Sequence, residues 1–156
     1  MKTLIAFYSR TGTTKKIAKV LAEKLGADLE EIKDTVDRSG IKGYLISGRD
    51  AMKKKITKLE PARFNPADYD LTIIGTPIWG GNMSVPTRTY ISEQKYNFKS
   101  TAFFCTMGSS GNEKTFSEME KAIGKKSLGT LAILTREAAT DNFSVKVNDF
   151  LEALKI

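Results

Sequence analysis

The sequence predicts an α/β fold in three layers: a five-stranded parallel sheet with helices on both faces. Two observations predict it. Strand-like, loop-like and helix-like segments alternate five times along 156 residues, the pattern of a parallel sheet whose crossovers carry helices. The strand segments are also short, nearly continuous apolar runs, as suits strands buried on both faces. Crossovers of this kind are right-handed.

The first strand is Thr3–Tyr8, an unbroken apolar run but for Thr3. Ser9–Thr14 is small, polar and glycine-bearing, hence a loop. Ile17, Val20, Leu21 and Leu25 then recur at helical spacing, and Gly26 stands where a helix end favours glycine. Asp28–Ile32 is a weaker, acidic strand and reads as an edge. Ile41–Leu59 is mostly helix-compatible, interrupted by Gly43 and Gly48, and Pro61 and Pro66 mark a loop after it. Leu71–Gly75 is the third strand. Gly80 and Gly81 follow in a loop, and Val85–Gln94 is a helix with Pro86 in its first turn. Thr101–Cys105 is the fourth strand. Phe116, Met119 and Ile123 mark the next helix, and Leu128–Leu134 is the fifth strand. The last helix is marked by Phe143, Val147, Phe150, Leu151 and Leu154. No boundary or repeat divides the chain, so residues 1–156 are expected to form a single domain.

Composition excludes several chemistries. There is no histidine, which removes Ser-His-Asp and Cys-His catalysis and histidine-ligated metals. The single cysteine, Cys105, leaves zinc and iron–sulfur sites without ligands and allows no internal disulfide. No metal site is expected. No run of 18 apolar residues suggests a membrane span, and Met1–Arg10 lacks the layout of a secretion signal, so the expectation is a cytoplasmic protein. The net charge is +7. No nucleic-acid-binding signature accompanies it, so it reads as a solvated basic surface or as a site for anionic ligands and partners. Residues 41–63 carry seven Lys or Arg against two Asp or Glu.

In such folds ligands bind outside the carboxyl ends of the strands, where the strand order reverses. Three loops there are unusual. Ser9-Arg10-Thr11-Gly12-Thr13-Thr14 opens a helix, whose first N–H groups and partial positive charge suit a phosphate. Gly12 lets the backbone turn closely, and four hydroxyls offer donors. A plain helix cap would account for one of those hydroxyls. Thr76-Pro77-Ile78-Trp79-Gly80-Gly81-Asn82 carries the only tryptophan, whose ring suits stacking on a planar ligand or, alternatively, closing the end of the core. Thr106-Met107-Gly108-Ser109-Ser110-Gly111-Asn112 is rich in small residues and reads as a second wall or as a flexible connector. The loop spacing matches neither a Walker A loop, a GxGxxG fingerprint nor a Cys-x5-Arg phosphatase, since position 111 is glycine. A phosphate grip followed by two loops that bracket a flat ring describes a flavin mononucleotide, FMN.

On Tyr8–Thr14, Gly75–Asn82 and Thr106–Asn112, the chain resembles the flavodoxin-like family over essentially its whole length. The resemblance implies strand order 2-1-3-4-5 and FMN as cofactor. By it, Ser9, Arg10, Thr11, Gly12, Thr13 and Thr14 match the phosphate loop. Pro77, Ile78, Trp79, Gly80, Gly81 and Asn82 match the loop on one side of the isoalloxazine, and Met107, Gly108, Ser109, Ser110 and Gly111 the loop on the other. This chain lacks the tyrosine that stacks on the ring in many relatives. It also lacks the strong negative charge usual in the family's electron carriers. The expected role is electron transfer between redox partner proteins, with no catalytic side chain. The alternative is an FMN-dependent NAD(P)H oxidoreductase acting on quinones or nitroaromatics. A monomer or weak homodimer is expected, with no nucleic-acid or membrane partner.

Overall fold

A computed structural model describes residues 1–155; Ile156, the last residue of the expected domain, lies outside them. Six strands and six helices follow in the order β1 (Thr3–Phe7), α1 (Thr13–Leu25), β2 (Asp28–Glu31), α2 (Gly40–Met52), β3 (Leu71–Trp79), β4 (Asn82–Met83), α3 (Val85–Gln94), β5 (Ser100–Met107), α4 (Asn112–Ile123), β6 (Thr130–Leu134), α5 (Thr135–Ala139) and α6 (Ser144–Ala153). The main strands are parallel and ordered β2-β1-β3-β5-β6. This is the expected 2-1-3-4-5 sheet, with the two-residue β4 added antiparallel to the end of β3. The acidic β2 is the edge strand, as expected.

Strand alternation explains the apolar runs. Ile5, Phe7, Leu71, Ile73, Ala102, Phe104, Leu131 and Ile133 point to one face of the sheet. There they meet Ile17, Ala18 and Leu21 of α1 and Val147 and Phe150 of α6. Ala6, Tyr8, Ile74, Phe103 and Cys105 point to the other face, against Tyr90 and Ile91 of α3 and Phe116, Met119 and Ile123 of α4. Both faces are covered, so neither residue of an alternating pair can be polar without loss.

Two elements differ from the sequence expectation. The third strand does not stop at Gly75 but runs on to Trp79, paired first with β5 and then with β4. The expected loop is therefore mostly strand, turned back at Gly80 and Gly81, whose φ values of 55° and 75° are those of a two-residue type I′ hairpin turn. The helix expected over Ile41–Leu59 ends at Met52. Beyond it the chain is drawn out along β2: Thr35 N–H donates to Lys58 O, Glu60 N–H to Lys33 O, and Arg63 N–H to the buried Glu30 carboxylate. Those bonds, to Glu30 of the edge strand and to residues 33–35 just beyond it, compete successfully with further helical turns.

Candidate functional site

The chain passes from β1 to β2 on one side, then crosses to β3 on the other, so the order reverses between β1 and β3. The three loops predicted from sequence all leave the carboxyl edge, after β1, β3 and β5.

The first loop is built around a vacant helix start. Gly12 is the N-cap of α1, with φ 100° and no side-chain cap. A side chain would be strained there, and a cap of Ser, Thr, Asp or Asn is absent. Ser9 Oγ instead accepts from Gly12 N–H at 3.1 Å, closing the loop on itself. The N–H groups of Thr13, Thr14 and Lys15 have no partner among the described residues. A Cβ built on Gly12 would meet nothing within 4 Å, so the space before the helix is open.

The hydroxyls divide. Those of Thr11 and Thr13 lie 3.5 Å apart at the loop mouth. Thr14 is 1% exposed, and its hydroxyl is 2.8 Å from that of buried Thr106 on β5. Three hydroxyls therefore remain at the loop instead of the four expected, because the fourth is spent tying α1 to β5. Arg10 also leaves the loop. Its guanidinium donates to Arg38 O at 3.5 Å and stacks over the Tyr44 ring at 5.4 Å.

The second loop meets the third. Asn82 donates to Gly80 O at 2.8 Å across the hairpin turn and accepts from Lys114 Nζ at 3.3 Å, which pins the turn to α4. Gly111, the N-cap of α4, repeats the geometry of Gly12: φ is 106° and no side chain caps the helix. A Cβ there would stand 3.2 Å from Ile78 Cγ2 and 3.5 Å from Gly81 Cα. The two loops thus touch at Gly81 and Gly111, so both helix starts are uncapped but only that of α1 is open. Pro77 and Ile78 are half-buried, and Gly108, Ser109 and Ser110 are exposed. Met107 O accepts from Thr135 at 3.2 Å.

Trp79 lies in the strand, 8% exposed, with its ring edge-on to Tyr8 at a centroid distance of 5.4 Å. It closes the end of the core. Sequence reasoning missed what lies over it: Arg38, 5% exposed, 5.7 Å above the ring. Asp34 holds that guanidinium at 2.6 Å and Asp50 of α2 at 3.4 Å. The i, i+4 spacing of Asp34 and Arg38 was the only local signal. Burial, with the nearby Asp34 carboxylate, pushes the Tyr8 phenol up to about 12. Arg49 and Lys55 also reach Asp50, and these hydrogen bonds hold its carboxyl below the usual range despite partial burial. Also missed was α2 itself as a wall: Tyr44, Leu45 and Met52 face Ile78, Trp79 and Gly80 across a cavity of about 600 Å³.

Cys105 is fully buried, and burial alone pushes its thiol up to about 12. Among the described residues no group of three or more His, Cys, Asp or Glu is placed to hold a metal, and no helix is long and apolar enough to cross a membrane.

The profile of the family described as Flavodoxin matches residues 2–150. Among solved structures, the chain is similar to a flavoprotein of Lactobacillus acidophilus NCFM crystallised with FMN: 26% identity, TM-score 0.72, covering 92% of this chain and 98% of that one. It is similar to a protein of Bacteroides uniformis assigned as a flavoprotein: 25% identity, TM-score 0.75, covering 93% and 97%. A likeness in fold alone extends to an NADH:FMN oxidoreductase at 12% identity and TM-score 0.63, covering 99% and 87%. No curated protein matches. With the family profile spanning nearly its whole length, the chain belongs to the flavodoxin family.

Proposed function

We propose that this chain uses FMN, the flavin found in its Lactobacillus neighbour, to carry electrons between redox partner proteins. The observation that supports it most directly is the open, uncapped start of α1 behind Gly12. Three unpartnered N–H groups, the helix dipole and the hydroxyls of Ser9, Thr11 and Thr13 fit a phosphate dianion. The side-chain-free backbone where Gly81 meets the uncapped start of α4 at Gly111 fits the edge of a flat ring.

Bound FMN supplies one- and two-electron redox chemistry; the protein binds, orients and tunes it. In this reading the Ser9–Thr14 loop holds the phosphate. Gly80 and Gly81 offer backbone hydrogen bonds to the ring, and Met107–Gly111 forms the opposite wall. Trp79 lies beneath, keeping water from the core side. No histidine is present, and burial holds the Tyr8 and Cys105 protons firmly on their side chains at neutral pH. Neither side chain therefore serves as an acid or base at neutral pH, and the experiment that follows decides between carriage and turnover.

The experiment has two steps. The apo chain titrated with FMN is expected to quench the flavin fluorescence and retain the flavin through gel filtration; failure ends the proposal. The loaded chain, mixed without air with NADH or NADPH, is expected to stay yellow. Rapid bleaching would overturn carriage in favour of an NAD(P)H oxidoreductase.

A further inference from the structure

Five apolar side chains on or just beyond α2 face water: Ile41, Tyr44, Leu45, Met52 and Ile56 are each more than 60% exposed. Ile41, Tyr44, Leu45 and Met52 fall at spacings of three, four, seven and eight, so they form one stripe along the helix. A water-facing stripe of this kind marks an interaction surface. Its centre is concave, because the cavity of about 600 Å³ opens between Tyr44, Leu45 and Met52 on one side and Ile78, Trp79 and Gly80 on the other.

Cations surround it. Residues 41–63 carry +5 of the chain's +7. Among the described residues Arg10, Lys42 and Lys53 have no carboxylate within ion-pair distance; Arg49, Lys54 and Lys55 do. Arg10 comes from the phosphate loop and lies over Tyr44, and Gly80 belongs to both the cavity and the hairpin turn. The surface is thus continuous with the edge assigned to the flavin.

We propose that the α2 face, centred on the Tyr44–Leu45–Met52 cavity and rimmed by Arg10, Lys42 and Lys53, docks an acidic redox protein that seats a protruding apolar side chain in the cavity. This rests on the electron-carrier reading and names the partner's chemistry. Complementary charge steers such an encounter, and desolvated apolar contacts at its centre hold it. A second copy of this chain would set the same excess of positive charge against itself. A bilayer surface would complement the cations but has nothing of defined shape to fill the hollow.

The test uses the isotope-labelled, FMN-loaded chain and a plant-type [2Fe–2S] ferredoxin, an acidic electron carrier, as the probe. Amide shifts are expected to cluster on residues 41–55 and 78–81. Affinity should fall about tenfold between 50 and 200 mM salt. The Lys42→Glu/Lys53→Glu variant should lose at least about tenfold in ferredoxin affinity, with unchanged FMN affinity and unchanged melting. Leu45→Ser should weaken the complex without changing its salt dependence. Shifts scattered elsewhere, or unchanged affinity in the double variant, overturn the proposal. So does pelleting with phosphatidylglycerol vesicles that depends on Lys42 and Lys53 while ferredoxin is ignored; the face would then be a membrane surface. The apo chain is titrated in parallel. If it binds ferredoxin through α2 but never retains FMN, the flavin reading fails and the docking surface stands without a redox role.

Discussion

The buried hydroxyl pair Thr14–Thr106 separates a structural from a ligand-binding role for the first loop. Both residues are nearly inaccessible, at 1% and 4% exposure, and their oxygens are 2.8 Å apart. Thr14→Val keeps the side-chain shape and removes one hydroxyl. The Thr106 hydroxyl is then buried without a partner, which costs about 1–3 kcal/mol. Thr106→Val does the same in reverse. The double variant removes both polar groups, and replacing both partners by apolar groups of the same shape is nearly neutral. Its loss should therefore be smaller than the sum of the single losses by about 2 kcal/mol or more, at the upper end of the range for residues in contact. For a chain of this size each kcal/mol shifts Tm by roughly 2–4 °C, so each single variant should melt about 2–12 °C lower. Urea denaturation of the four proteins, with and without FMN, measures the cycle. FMN at about 100 times its Kd should stabilise wild type and Thr14→Val alike, by about 2.7 kcal/mol. Additive single losses would refute the pairing. A Thr14→Val chain of normal stability that has lost FMN affinity tenfold would show that this hydroxyl serves the phosphate after all.

Gly12→Ala places a side chain at φ 100° in open space, so only backbone strain opposes it. It should cost about 1–2 kcal/mol and weaken FMN binding more than it lowers Tm, as read by fluorescence titration beside melting. Gly111→Ala adds crowding against Ile78 at 3.2 Å to the same strain and should destabilise more than Gly12→Ala in the same melts. Hydrogen bonds from Lys126 and from the Ser127 backbone and side chain hold the Glu120 carboxyl down near 2. Its folded value lies below the unfolded one, so its stabilisation is complete above about pH 4.5 and is lost as pH falls towards 2; Glu120→Gln should flatten the acid side of a stability–pH curve. The Cys105 thiol, buried and pushed up to about 12, should resist a thiol reagent at pH 8 in the folded chain and react at once in denaturant. In the proposed binding mode Lys114, fastened to the hairpin turn through Asn82, puts a cation near the flavin. Lys114→Met should make the FMN midpoint potential more negative by on the order of 20–40 mV, from roughly 1–2 kcal/mol of lost attraction, in a potentiometric titration.

The sequence alone determined the alternation of strands and helices, the edge position of β2 and the location of the three loops. These rest on local physics. Apolar runs bounded by glycine, proline and small polar residues define strands wherever they lie. The sequence marked Gly12 as a close backbone turn; that Gly12 and Gly111 both stand uncapped at helix starts came from the structure. Tertiary structure decided the rest because the deciding partners are distant in the chain. Thr14 is turned away from the loop mouth by Thr106, 92 residues away. Trp79 became core because β3 found β4 and β5 to pair with beyond Gly75 and Arg38 closed over its ring. The helix over Ile41–Leu59 stopped at Met52 because Lys58 and Glu60 found the backbone around β2. Only once α2 lay against the hairpin did its exposed stripe acquire a hollow beside Ile78–Gly80.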